Sequence, residues 1–202
     1  MTTSDAALAV LTGVLGEAFT RRDEAGRALL GESDALAQAA RAMASRFQAG
    51  GHLLTFGAGL AAADAQHVAV EFLHPVIVGT RALPAIALSN DVCLTTAAKG
   101  PGEIFVDALR THGTAADIAL GLSPDGRCPG VVRGLQVAGE LGMLTLSLSG
   151  GEPHGPAARL AQHPIVVRHT DVLAVRETLV TAYHILWELT HCFLGRSQAA
   201  LA

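Results

Sequence analysis

His52-Leu-Leu-Thr-Phe-Gly-Ala-Gly-Leu-Ala-Ala-Ala-Asp-Ala-Gln-His67-Val-Ala-Val-Glu71 is the stretch that decides the fold. Leu53–Phe56 is an apolar run of strand length, and Ala61–Leu73 reads as helix. Gly57-Ala58-Gly59 turns one into the other. A strand that passes through glycines into a helix is the opening half of a βαβ unit.

Downstream the same alternation continues. Short apolar runs bounded by Gly or Pro lie at Pro84–Leu88, Ile118–Leu122, Leu144–Leu148 and Ile165–Val167. Helical segments separate them at about Ile104–His112, Val131–Leu141 and Ala157–Leu160, and a long final helix covers about Val172–Phe193. Strand alternating with helix predicts right-handed crossovers and a parallel sheet covered on both faces. Upstream, Ser4–Leu30 carries Ala7, Leu8, Leu11, Val14, Leu15, Ala18 and Phe19 at helical spacing. A second helix begins at Glu32 or Ser33, carries Leu36, Ala39, Ala40, Met43 and Phe47, and stops at Gly50-Gly51. The expectation is a single α/β domain with a five-stranded parallel sheet flanked by helices. Residues 1–50 form an N-terminal helical hairpin of the same domain, 51–195 the α/β body, and 196–202 a short frayed tail.

Composition bounds what such a domain does. Of 202 residues, 50% are hydrophobic and 16% charged, and mean hydropathy is +0.39. That is ample for one core and points to apolar surface buried between subunits. A net charge of −4 with no basic run argues against direct nucleic-acid binding. Cys93, Cys128 and Cys192 are widely spaced and form no CxxC pair, which excludes a zinc ribbon and suits a reducing compartment. Met1–Asp5 lacks the basic start of a signal peptide, and no run of about 18 apolar residues predicts a membrane span. The expected location is the cytoplasm.

In open parallel sheets, ligands sit beyond the carboxyl ends of the strands, where loops meet helix N-termini. Three stretches qualify: Gly57–Ala63, Ser89–Lys99 and Ser123–Gly130. Gly57 and Gly59 suit either an anion held on backbone amides or simply a tight strand-to-helix turn. Ala62 breaks the GxGxxG pattern and no Walker lysine follows, so no nucleotide cofactor is expected. Asp64, His67 and Glu71 stand three and four apart, which puts His67 and Glu71 on one helix face. They form a local pair on a polar face, or converge on a metal or a substrate proton. His184 lies in an apolar helix beside Tyr183, where it is either a satisfied structural histidine or a chemical one. Tyr183 and Trp187 read as core or interface residues, and His74, His163, His169 and His191 as surface or capping residues.

The ordered motifs from about residue 5 to 195 resemble those of the phosphoheptose isomerases, a family of the sugar-isomerase (SIS) type. The opening stretch resembles their strand, GNGGS turn and Asp-Ala-x-His-x-x-x-Glu helix. Leu83-Pro-Ala-Ile-Ala-Leu88 is similar to their second strand, and Gly121-Leu-Ser-Pro-Asp-Gly126 stands at their serine loop. Val175-Arg-Glu177 with His184 is similar to their I-Q-E segment and helical histidine. The resemblance implies isomerisation of sedoheptulose 7-phosphate or a related phosphosugar through a cis-enediol, with Glu71 as base and His184 as acid. It implies substrate contacts from Gly57, Gly59, Asp64 and Ser123, a homotetramer, and a zinc on His67, Glu71 and His184; Arg176, which departs from the family pattern, is a further candidate substrate contact.

The departures from that pattern are as specific. Ala58 and Ala61 replace the family's asparagine and cradle serine. Of the serine loop only Ser123 remains, with Pro124, Asp125 and Cys128 where hydroxyls are expected. Asp125 would stand beside a phosphate dianion at a cost on the order of a kilocalorie or more. Arg176 replaces the metal-binding glutamine, and a guanidinium has no lone pair for zinc, so the expected state is metal-free. Arg176 is expected to reach Glu71 or Asp64 instead. The alternative reading is a regulatory or scaffold protein on the same fold, binding a protein partner or another sugar ligand. The family's relatives that associate with the replication initiator DnaA are of that kind. Asn90-Asp91-Val-Cys-Leu-Thr-Thr-Ala97 leans toward that branch, which typically lacks a residue like Glu71. A third reading has Arg127 and Arg176 binding a carboxylated or nucleotide sugar.

Overall fold

A computed structural model describes residues 3–77, 79–90 and 92–199. Five strands, β1 (Leu53–Gly57), β2 (Ala85–Ala87), β3 (Ile118–Ser123), β4 (Leu144–Gly150) and β5 (His163–Val167), form one sheet in the order β2-β1-β3-β4-β5. All pairs are parallel, with Leu53 opposite Ala85 and Ile118, Ile118 opposite Leu144, and Leu146 opposite His163. The chain reverses its direction of travel across the sheet after β2, so the C-terminal ends of β1 and β3 flank the crevice where such sheets bind ligands.

Helices α1 (Thr3–Leu30) and α2 (Ser33–Gln48) form the hairpin, followed by α3 (Leu60–Leu73), α4 (Val92–Ala97), α5 (Val106–His112), α6 (Pro129–Glu140), α7 (Pro156–Leu160) and α8 (Val172–Ala199). Strand residues alternate between two cores. Leu53, Leu120, Leu146 and Ile165 face α2, α3 and α8, whereas Leu54, Phe56 and Ala119 face α5 and α6. β1, β3 and β4 are buried along their whole length, which suits the apolar runs of β1 and β3, whereas β4 alternates Leu144, Leu146 and Leu148 with buried Thr145, Ser147 and Ser149, and edge strand β2 leaves Ile86 half exposed.

Three segments differ from the sequence reading. The second strand is only Ala85–Ala87, because Leu88–Asn90 coils into a 3-10 turn. The stretch Ser89–Lys99, expected as a loop, contains the short helix α4, while Asp91 lies outside the described residues. α8 runs through Gly195 to Ala199, so the part of the expected tail that is described is helical; residues 1, 2 and 200–202 lie outside the described residues.

The histidines also divide. His74 caps α3 and is exposed, and His169 accepts the Asp171 amide at 3.1 Å, both as expected. His191 is half-buried, with its ring 4.5 Å from Trp187 and Nε2 3.1 Å from the Arg81 carbonyl oxygen. His163 sits half-buried in β5, where burial holds its pKa below the usual value.

Candidate active site

Helices α3 and α8 follow the C-terminal ends of the parallel strands β1 and β5, and where they meet their residues pair in ascending order. Three rungs join them. Arg176 places Nε 2.8 Å from Asp64 Oδ2 and Nη2 3.2 Å from Oδ1. Tyr183 brings its hydroxyl to 2.7 Å from His67 Nδ1. His184 Nε2 lies 3.8 Å from Glu71 Oε1. Within α3, His67 Nε2 is 3.1 Å from the same Glu71 oxygen.

The environment of each rung differs. Asp64 is buried and Arg176 is half-buried; the carboxylate holds the guanidinium pKa above its ordinary value. Tyr183 is 1% exposed, and burial, with the Asp64 and Glu71 carboxylates, pushes its pKa up so that the phenol keeps its proton. His67, Glu71 and His184 are half-buried, which leaves them reachable from solvent. Of the expected site residues, Asp64, His67, Glu71, Arg176 and His184 therefore stand on one seam. His67 and Glu71 do form the local pair that α3 alone allows, but α8 closes over it. Of the two partners open to it, Arg176 takes Asp64. Tyr183 is the member that sequence reasoning missed, because a tyrosine in an apolar helix reads as core.

The glycine loop lies beyond the end of β1. Gly57 donates its N–H to Ser89 Oγ at 3.1 Å, and the Ser89 hydroxyl donates back to the Gly57 oxygen at 2.8 Å. That amide is thus occupied, and what Gly57 provides is space: a Cβ there would lie 2.5 Å from the Ala61 oxygen and push α3 off the strand end. Gly59 starts α3 at φ +61°, a conformation that favours glycine. Around them is a cleft of about 250 Å³ lined by Ala58, Ala62, Ser89, Thr95 and Phe105, with no charged side chain among the described residues that line it.

Ser123 belongs to a separate, self-bonded loop. Its hydroxyl donates to Asp125 Oδ1 at 2.9 Å, the same oxygen accepts the Arg127 amide at 2.9 Å, and the Cys128 amide donates to Ser123 Oγ at 3.2 Å. Burial pushes the Asp125 carboxyl up, but these hydrogen bonds and the nearby Arg127 charge outweigh it and hold the pKa below the usual range.

The family model for the SIS domain matches residues 24–150. The chain belongs to the SIS-domain family. Among curated proteins it is 35% identical to a phosphoheptose isomerase of Desulfovibrio desulfuricans over 170 residues, covering 83% of this chain and 80% of that one. It is 36% identical to one from Chlorobaculum parvum over 192 residues, covering 90% and 85%. The solved phosphoheptose isomerase of Neisseria gonorrhoeae superposes with a TM-score of 0.80 at 26% identity, covering 89% of this chain and 98% of that one. This is a SIS-domain protein resembling the phosphoheptose isomerases, as the motif pattern implied.

A metal is implied by that resemblance, and the donor set bears on it. One ligand atom each from His67, Glu71 and His184 lies within 4.8 Å of the others. Two imidazole nitrogens and a carboxylate oxygen are donor types that suit zinc, but His67 Nε2 and Glu71 Oε1 are already bonded to each other at 3.1 Å, and the family's fourth ligand position holds Arg176. Arg176 cannot serve as a fourth ligand, and it is turned to Asp64.

Proposed function

We propose that this protein interconverts a phosphorylated ketose and its aldose, with sedoheptulose 7-phosphate or a closely related phosphosugar as substrate. The observation that carries the reading is the approach of Glu71 and His184, from helices more than a hundred residues apart in sequence, to 3.8 Å. Ketose–aldose isomerisation moves one proton between adjacent carbons and another between their oxygens. Glu71 takes the C1 proton of the ketose while His184 gives a proton to the O2 carbonyl oxygen, yielding the enediol. Glu71 then returns its proton to C2 as His184 takes one from O1, which leaves the aldose. A zinc held by His67, Glu71 and His184 would supply Lewis-acid polarisation of the sugar oxygens. The acid–base steps on Glu71 and His184 stand without it.

The protein works as a homo-oligomer, a tetramer on the family resemblance. Leu11, Val14, Leu15 and Phe19 of α1 are each more than half exposed. Beside them, a groove of about 600 Å³ between α1, α2 and α8 is walled by Leu29, Leu30, Leu36, Ile185 and Leu189. A second copy would cover both and border His184. Among the described residues no helix is long and apolar enough to cross a membrane. Free Cys93, Cys128 and Cys192 support a reducing, cytoplasmic setting.

The test is turnover of sedoheptulose 7-phosphate. Glu71→Gln and His184→Ala should each lower kcat by about 100-fold or more while the fold is kept. Equal turnover in wild type and both variants, or none in wild type across heptose and hexose phosphates, would refute the reading.

A further inference from the structure

We infer that Tyr183 is a positioning residue that fixes the tautomer of His67, making it a hydrogen-bond donor to Glu71 and setting it against metal binding.

The direction of each hydrogen bond follows from what its atoms can do. A Glu71 carboxylate only accepts, so the His67 nitrogen 3.1 Å from it, Nε2, carries the proton. A neutral imidazole then has an acceptor at Nδ1, and the atom 2.7 Å from Nδ1 is the Tyr183 hydroxyl. The phenol therefore donates. The opposite polarity would place a proton on Nδ1 and turn the Tyr183 oxygen into an acceptor. The phenol's own proton would then lose its partner inside a side chain that is 1% exposed. The chain of donors runs Tyr183 to His67 to Glu71 Oε1, and the His184 nitrogen faces that same oxygen. Glu71 Oε2 has no hydrogen-bond partner among the described residues, so it is the oxygen free to meet a substrate proton.

A histidine that ligates metal through Nε2 has its proton on Nδ1 and passes it to an acceptor, usually a carboxylate, a carbonyl or water. Tyr183 offers a donor at that position. For His67 Nε2 to bind an ion, the imidazole must change tautomer and the buried phenol must give up its hydrogen bond. This goes beyond the isomerase reading: that reading supplies the role of Glu71, whereas the tautomer of His67 is a property of the protein with or without turnover.

The experiment uses the full chain, labelled with ¹⁵N at its histidine rings, as wild type and Tyr183→Phe, with His67→Asn to assign the resonances. In wild type, His67 should show a protonated Nε2 and an unprotonated, hydrogen-bonded Nδ1; in Tyr183→Phe the Nδ1 resonance should shift as its hydrogen bond is lost, and the Nδ1-protonated form that the phenol excludes should become detectable. Zinc titrated against a chromophoric chelator should bind Tyr183→Phe at least 10-fold more tightly than wild type. His67 protonated at Nδ1 in wild type, or spectra and zinc affinity unchanged by Tyr183→Phe with an unchanged melting temperature, would overturn the inference. Absent turnover in wild type would remove the isomerase reading and leave these two readouts standing.

Discussion

Arg176 and Asp64 form a two-bonded ion pair across α3 and α8, and it is the first of the three rungs that join those helices. Its position matters as much as its strength. The pair lies near the start of both helices, on the glycine-loop side of the His67–Glu71–His184 cluster, two helical turns from His184 along α8. The guanidinium thus places a fixed positive charge where the family pattern has a neutral glutamine, and it neutralises a buried carboxylate.

From this pairing follows a difference in metal content. Wild type should purify with little zinc, because Arg176 adds charge repulsion and no lone pair. Arg176→Gln should acquire roughly one zinc per chain, read by metal analysis after dialysis. The same variant should lose about 1–3 kcal/mol of stability, since Asp64 keeps its burial and loses its hydrogen-bond donors. Stoichiometric zinc already present in wild type would refute the prediction.

Much of this seam is visible before any coordinates. Asp64, His67 and Glu71 share one face of α3 by spacing alone, and Arg176 and His184 share one of α8, so a motif-level alignment brings them together. The Tyr183 contact is different in kind. Its ring belongs to the core, as its apolar neighbours suggest, and only its oxygen reaches His67; where a buried ring points is decided by how two helices pack. Likewise α4 hides because Thr95 and Thr96 interrupt any apolar period over a helix of 6 residues. The strands are legible because short apolar or Leu-alternating runs recur between helical segments, and Gly57, Pro124 and Gly150 mark the ends of β1, β3 and β4.

The exposed seam of α1 predicts an assembly. Leu15 and Phe19 lie four apart on one face, and covering either is worth about 1.5–3 kcal/mol. Light scattering at micromolar concentration should report a tetramer for wild type and a smaller species for Leu15→Asp with Phe19→Asp. A wild-type monomer would refute both the assembly and any site completed at an interface.

At the opposite end of the sheet, Asp117 fastens the start of β3. It accepts the His52 amide at 2.7 Å and the Thr114 amide and hydroxyl at 2.8 and 2.7 Å, while 2% exposed. Burial pushes its pKa up, but these donors outweigh it and hold the value below the ordinary one. Its folded pKa is therefore lower than its unfolded pKa, so its stabilisation is complete above about pH 4 and is lost as pH falls through the folded value. Asp117→Asn turns an amide donor toward donors and should cost about 1–3 kcal/mol at neutral pH. Denaturant melts should show the gap between wild type and variant closing in acid. A gap that is constant from pH 7 to pH 3 would show that the carboxylate charge plays no part.

Asp125 bears most directly on the ligand. Its carboxylate already accepts the Ser123 hydroxyl and the Arg127 amide, the donors that this loop would otherwise turn toward an incoming anion. A phosphate arriving there meets a negative charge and donors that are occupied. Because Asp125 is exposed, each unit of like charge costs on the order of 1 kcal/mol at contact distance, and a dianion roughly doubles that. Asp125→Asn keeps an acceptor oxygen for the loop's own hydrogen bonds while removing the charge. It should tighten binding of a phosphosugar by about 10-fold in KM with little change in kcat, and the gain should shrink as salt is raised. Calorimetry with the same sugar lacking its phosphate should show no difference between wild type and variant. If Asp125→Asn leaves phosphosugar affinity unchanged, the phosphate does not bind against this loop, and the cleft beside Gly59 and Ser89 becomes the place to look for it.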